Sequence, residues 1–208
     1  RGLAYKSGGL GVAGSNPACP TETIRTLTNT TAFCYHYSGG LVMTVIIAGS
    51  PRKGMYSDRL AEAYSSRKEN SEIIYARSLK AGPCKACEYC HGKGNGICVQ
   101  KDDMADALER IRKADEIALF SPIYWWQVTA QMKLVIDRLY AMDHKEWEGK
   151  KLTVVLNGAA EDDDREFALI RDLFKEMADY LKLNFTFLGV GTTDDAAFEK
   201  AMEKVKNL

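Results

Sequence analysis

Met43-Thr-Val-Ile-Ile-Ala48 is an apolar, β-branched run without polar alternation, and it breaks at Gly49 into Ser-Pro-Arg-Lys-Gly before a helical pattern carrying Leu60, Ala61 and Tyr64. A run of that kind predicts a strand buried on both faces, which belongs in a parallel sheet covered by helices. Further segments of strand character lie at 72–77, 116–120, 152–156 and 184–188. Between them, apolar residues recur at helical spacing, as in Met104, Leu108 and Ile111, or Phe167, Ile170 and Phe174. Same-direction strands need crossovers, so the alternation predicts an α/β fold with a doubly wound, five-stranded parallel sheet. Ligands of such sheets sit at the carboxyl ends of the strands. The loops after the first, third and fourth strands are therefore where a site is expected.

The first of these loops reads as an anion cradle. Free N–H groups and the dipole at the start of the following helix attract negative charge, Ser50, Arg52, Lys53 and Ser57 add donors, and Ser57 and Asp58 are expected to supply capping oxygens. The loop has neither Gly-x-x-x-x-Gly-Lys-Ser/Thr nor Gly-x-Gly-x-x-Gly, which disfavours a nucleoside triphosphate and a dinucleotide and favours one terminal phosphate. It has no Cys to accept a phosphoryl group, so the phosphate is a handle. An ordinary strand-to-helix turn with a solvated Arg and Lys is the plainer reading.

After the third strand comes Ser121-Pro-Ile-Tyr-Trp-Trp-Gln127, read as a Pro-led loop that presents Tyr124, Trp125 and Trp126 at the sheet edge. An aromatic shelf beside a phosphate cradle suits a flavin or another phosphorylated ring; the alternative is an apolar patch covered by a second subunit. The loop after the fourth strand, Asn157-Gly-Ala-Ala-Glu-Asp-Asp-Asp164, ends in an acidic run expected to form the first turn of the next helix.

Cys84, Cys87, Cys90 and Cys98 form Cys-x2-Cys-x2-Cys-x7-Cys between the second strand and a helix opening near Asp102. Three thiolates at that spacing can wrap one corner of a cubane and a fourth can close it. Zinc fits less well, since structural zinc sites split their ligands into separated pairs; metal-free packing residues or reactive thiols are the stronger alternative. His91 reads as a solvated loop residue and His144 as a partner for helix-end carbonyls.

Composition limits the rest. The 208 residues carry 28 basic and 28 acidic side chains, which gives no electrostatic case for nucleic acid or a membrane surface, and no apolar run is long enough to span a membrane. Clustered cysteines fit a reducing, cytoplasmic compartment. Residues 1–41 are rich in Gly, Ser, Thr, Asn and Pro without either structural period. They read as a non-native or disordered N-terminal extension, compatible by back-translation with a translated upstream region, so that the natural chain is expected to start at Met43 and the domain to occupy 42–208.

Gly49-Ser-Pro-Arg-Lys53, Ser121-Pro-Ile-Tyr-Trp125, and Gln131-Met-Lys133 leading to Ile136-Asp-Arg138 resemble the NADPH-dependent FMN reductase family of flavodoxin-like proteins. The cysteine motif and the following Val99 to Met104 resemble its iron-sulfur flavoprotein branch. The likeness implies strand order 2-1-3-4-5 and FMN, with Ser50, Arg52, Lys53 and Ser57 at its phosphate. It places Pro122, Ile123, Tyr124, Trp125 and Trp126 along the ribityl chain and ring, with Asn157 and Gly158 nearby, although this chain lacks the family's glycine-rich fourth loop. It further implies a [4Fe-4S] cluster on Cys84, Cys87, Cys90 and Cys98 and a homodimer or homotetramer. The expected activity is that of an oxidoreductase taking electrons from NAD(P)H or a ferredoxin-like donor and passing them to a quinone-like or protein acceptor. A non-enzymatic electron carrier and a cofactor-free binding module are the alternatives.

Overall fold

A computed structural model describes residues 42–162 and 164–208; the expectation for residues 1–41 lies outside the described residues. The elements alternate: β1 (Met43–Ala48), α1 (Tyr56–Ser65), β2 (Asn70–Tyr75), α2 (Met104–Lys113), β3 (Glu116–Tyr124), β4 (Gln127–Val128), α3 (Ala130–Arg138), β5 (Lys151–Gly158), α4 (Arg165–Leu181), β6 (Asn184–Gly191) and α5 (Asp195–Lys206). The parallel sheet runs β2-β1-β3-β5-β6, and the two-residue β4 pairs antiparallel with the end of β3. With β4 set aside this is the expected order 2-1-3-4-5. Among the described residues no helix is long and apolar enough to cross a membrane.

The continuous apolar run of β1 is explained by helices on both sides. Val45 and Ile47 face one cluster, with Leu108, Met132, Val154 and Phe174, while Ile46 and Ala48 face the other, with Leu60, Tyr64, Phe120 and Phe198. Fully burying each isoleucine is worth about 1.5–3 kcal/mol, which pins the register, because a one-residue slip would exchange the two faces.

The amino-terminal end of the sheet is closed by a buried polar group. Glu116, at the start of β3, accepts hydrogen bonds from Tyr64 Oη (2.5 Å), Thr153 Oγ1 (2.7 Å) and Thr44 Oγ1 (3.3 Å) and pairs with Lys151 (3.0 Å) and Lys68 (3.2 Å). Burial alone would push its pKa up, but the bonds from Tyr64, Thr153 and Lys151 outweigh burial and hold it at about 2. Burial, and then the bond to Glu116, push the Tyr64 phenol up to about 12.

Strand ends differ from the sequence reading at the carboxyl side. β2 stops at Tyr75 rather than residue 77, and β3 continues from the expected residue 120 to Tyr124, carrying Pro122 within it. Proline is tolerated there because an antiparallel turn begins two residues later. β6 likewise runs on to Gly191.

Candidate functional site

The first loop is shaped from within. Gly49 N–H donates to Phe120 O (2.8 Å), and a Cβ on Gly49 would stand 2.8 Å from Met132 Cβ, so only glycine lets β1 leave the sheet so close to α3. Ser50 is buried with its hydroxyl turned back on the loop, donating to Arg52 O (3.1 Å) and accepting from Arg52 N–H (3.2 Å). Gly54 turns the chain back at φ +71°, a left-handed conformation natural to glycine, and its N–H donates to Asp58 Oδ2 at 2.7 Å. Arg77 holds the other Asp58 oxygen at 2.8 Å and also reaches Ser50 O at 3.3 Å. The buried carboxylate beside this loop is thus neutralised by a neighbouring strand's end. Arg52 and Lys53 are exposed.

Ser57 and Asp58 do not cap α1. The helix begins at Tyr56, both residues lie inside its first turn, and Met55 precedes it without any side-chain cap. The reason is that Ser57 Oγ donates across to Asn157 Oδ1 on β5 (2.5 Å) and Asp58 is occupied by Gly54 and Arg77. The helix start keeps uncapped N–H groups beside two exposed cations, an arrangement that favours an anion.

At the third loop the structure builds a hairpin where the sequence suggested an irregular loop. Tyr124 pairs with Gln127 and Ile123 with Val128, leaving Trp125 and Trp126 as a two-residue turn with φ +52° and +58°. Both residues of such a turn must adopt positive φ, a task usually given to Asn-Gly. Bulky residues there are strained, and strain of this kind concentrates at functional sites. The two indoles meet edge to face, 5.5 Å between centroids, and are 89% and 65% exposed. Thr129 joins this hairpin to the first loop. Its Oγ1 donates to Gly49 O (2.5 Å), accepts from Met132 N–H (3.1 Å) to cap α3, and its N–H donates to Ser121 Oγ (3.2 Å).

The fourth strand supplies Asn157, in register with Pro122; besides Ser57 it contacts Thr192, with Nδ2 donating at 3.3 Å. Gly158 lies beside Ile123 and Glu166. Ser50, Ser57, Pro122, Asn157 and Thr129 are therefore tied into one rim. The acidic run is not the first turn of α4: Asp164 is the N-cap, accepting from Glu166 N–H (2.9 Å), and Asp162 pairs instead with Lys204 and Gly191 N–H. Thr129 was not singled out in the sequence, although a Thr three residues ahead of a buried Met is a legible cap signal.

The cysteine loop hangs between β2 and α2. Asp102 holds it at the far end, accepting from Gly82 N–H and from Met104 N–H at the start of α2. Arg112 Nη2 grips Gly96 O (2.5 Å) from α2, and His91 Nε2 donates to Tyr140 O (2.6 Å), so His91 is not merely solvated. His144 packs edge to face on Tyr180, 4.5 Å between centroids, instead of meeting helix-end carbonyls. Ala86 and Glu88, on either side of Cys87, adopt φ +48° and +57°, and Ala86 N–H donates to Cys84 Sγ at 3.4 Å. Burial raises the Cys90 thiol, and both Cys84 and Cys98 are close enough to raise it further; Cys87 is exposed. Among the described residues no three His, Cys, Asp or Glu side chains converge on a single metal ion. A lone zinc needs its sulfurs about 2.3 Å from one point, whereas a cubane takes each thiolate at a different iron and sets them farther apart. The spacing of the four cysteines in the chain is what speaks for the second arrangement.

A family model described as NADPH-dependent FMN reductase matches residues 42–182. An iron-sulfur flavoprotein of Archaeoglobus fulgidus is 38% identical over 103 residues, 48% of this chain and 46% of that protein. The chain spans about half the length of the curated relatives it matches first. Among solved structures, the NAD(P)H:quinone oxidoreductase of Methanothermobacter marburgensis superposes with a TM-score of 0.64 at 18% identity, covering 81% of this chain and 97% of that one. The FMN-dependent NADH-azoreductase of Bacillus anthracis, solved with FMN, gives 0.61 at 13% identity, covering 79% and 96%. At such identities the likeness is one of fold.

Proposed function

This chain belongs to the NADPH-dependent FMN reductase family, and from that premise we propose that it is an FMN-dependent oxidoreductase, taking reducing equivalents from NAD(P)H or a ferredoxin-like donor and delivering them to a quinone-like or protein acceptor. The single observation that carries the reading is the uncapped start of α1 and the strained aromatic hairpin, fastened together through Thr129. The phosphate belongs at the α1 amides, with Arg52 and Lys53 as counter-charges and Ser50 and Ser57 fixing the floor. Pro122, Ile123 and Tyr124 line the path to the ring, Trp125 and Trp126 offer it an aromatic edge, and Asn157 and Gly158 close the opposite side. When bound, FMN supplies hydride and single-electron transfer; the protein supplies position and electrostatics. Its residues bind the phosphate, exclude water from one ring face by aromatic contact, and leave the other side open for a donor or acceptor. None of them is assigned a proton-transfer role.

The cysteine loop supports a second cofactor, a [4Fe-4S] cluster on Cys84, Cys87, Cys90 and Cys98, which suits a reducing compartment such as the cytoplasm. Leu169, Leu173 and Tyr180, all exposed on α4, together with the hairpin indoles, are the surfaces a homodimer or homotetramer would cover.

One anaerobic purification tests both cofactors. Flavin absorption bands and about four irons per chain, with oxidation of NADPH or NADH coupled to a quinone, are the expected results. A protein that stays colourless after incubation with FMN overturns the flavin reading, and flavin without iron overturns the cluster alone.

A further inference from the structure

Asp58 is an anion standing where an anion is expected to bind. It lies in the first turn of α1, 1% exposed, at the helix end whose dipole and free N–H groups favour negative charge. A carboxylate fixed there repels an incoming phosphate in surroundings that water and salt screen poorly. Both of its oxygens are occupied. Oδ2 accepts from Gly54 N–H at 2.7 Å and Oδ1 from Arg77 Nη1 at 2.8 Å. Gly54 brings no charge, so Arg77 is the cation that answers Asp58 among the described residues.

Arg77 is held for this task from outside α1. It belongs to the short helical turn Ala76–Ser78 that follows β2. Nη1 also donates to Ser50 O at 3.3 Å, and the guanidinium lies over the Tyr75 ring, 4.4 Å from its centroid. Tyr75 Oη in turn donates to Glu62 Oε1 at 3.0 Å, one turn further along α1. One nitrogen of Arg77 thus bridges the carboxylate in the helix and a carbonyl of the first loop. Packing does not call for a guanidinium there, since Met would cover the Tyr75 ring but leave the buried carboxylate without its counter-charge.

We propose that Arg77 is a positioning residue of the phosphate subsite: by pairing with Asp58 and holding Ser50 O it cancels the buried negative charge at the start of α1, and so sets the preference of the cleft for a phosphorylated flavin over an unphosphorylated one. This role rests on the FMN reading above. FMN and riboflavin share the ring and the ribityl chain, so only the phosphate feels the charge of Asp58. Loss of Arg77 alone should therefore appear in the affinity for FMN and not in that for riboflavin. Loss of both charges together should leave the phosphate nearly where it began.

Titration of the full chain with each flavin, followed by fluorescence quenching with fold checked by circular dichroism, separates these effects. Arg77→Met should weaken FMN binding about tenfold and riboflavin binding less than about twofold. Adding Asp58→Asn, which keeps an oxygen for Gly54 N–H but removes the charge, should return FMN affinity to within about threefold of the unsubstituted chain. Equal losses for the two flavins would reveal a collapsed loop, and undiminished FMN affinity would show the Asp58 charge to be harmless. Either result overturns the proposal, as does a double variant no better than Arg77→Met. If Arg77→Met does not fold, Arg77→Gln, which keeps an N–H donor for Asp58 and carries no charge, takes its place under the same expectations. An unsubstituted chain that binds neither flavin, or binds both alike, overturns the FMN reading itself, and that titration is read before any substitution is made.

Discussion

The two ends of the parallel sheet are built on opposite terms. At the amino-terminal end, Glu116 is surrounded by donors and cations, with every neighbour satisfied. At the carboxyl-terminal end, α1 starts without a cap, two tryptophans occupy a turn that suits Asn-Gly, and the indoles lie in solvent. The first end is optimised for stability. The second accepts local cost, as ligand sites do. Substitutions at one end should therefore move stability and leave FMN affinity alone, and those at the other should do the reverse.

The largest effect is expected from Glu116→Ala, which leaves Lys151 and Lys68 without their buried partner. It should destabilise the fold by about 3 kcal/mol with FMN affinity changed less than twofold, as read by denaturant unfolding and flavin titration. Loss of FMN binding in proportion to stability would abolish the contrast. The same residue dictates acid sensitivity. Its folded pKa of about 2 lies below the ordinary 4.5, so its contribution is fully present above pH 4.5 and is lost as the pH falls toward 2. The shift corresponds to about 3 kcal/mol, and Glu116→Gln should flatten this part of the stability profile.

At the other end, Trp125→Ala should weaken FMN binding about tenfold, or about 1.4 kcal/mol, with no loss of stability. Replacing the turn by Trp125→Asn with Trp126→Gly should go further in separating the two quantities, raising stability by about 1 kcal/mol by relieving left-handed strain while still lowering flavin affinity. A double variant that is less stable than the parent would show that the indoles pack and are not held ready for a ligand.

Much of this was readable beforehand, and the gaps have a common cause. The β1 run, the helix stripes and the parallel sheet followed from periodicity, because burial on both faces leaves an unbroken apolar signature, whereas the strand order 2-1-3-4-5 came from the family resemblance. Ser57 and Asn157, a hundred residues apart, both stood in the expected loops, but their hydrogen bond has no local signal, and it is what removed Ser57 from its expected capping role. The hairpin at Trp125 and Trp126 was missed because its residues contradict the turn chemistry that normally announces it. Arg138 was visible only as part of a motif, since its partners Gly82 and Asp102 lie 56 and 36 residues away. Pairing across the fold, not residue type, decided these cases.

Thr129 fastens the loop after β1 to the end of β3 that carries the hairpin through two hydrogen bonds of one residue, to Gly49 O and Ser121 Oγ. Neither lip of the cleft can drift from the other without breaking that stitch. On the proposed reading, a ligand held by an anionic tail at the first loop would have to carry its planar head at a set reach to meet the hairpin, and molecules with a shorter or longer spacer would be refused by length.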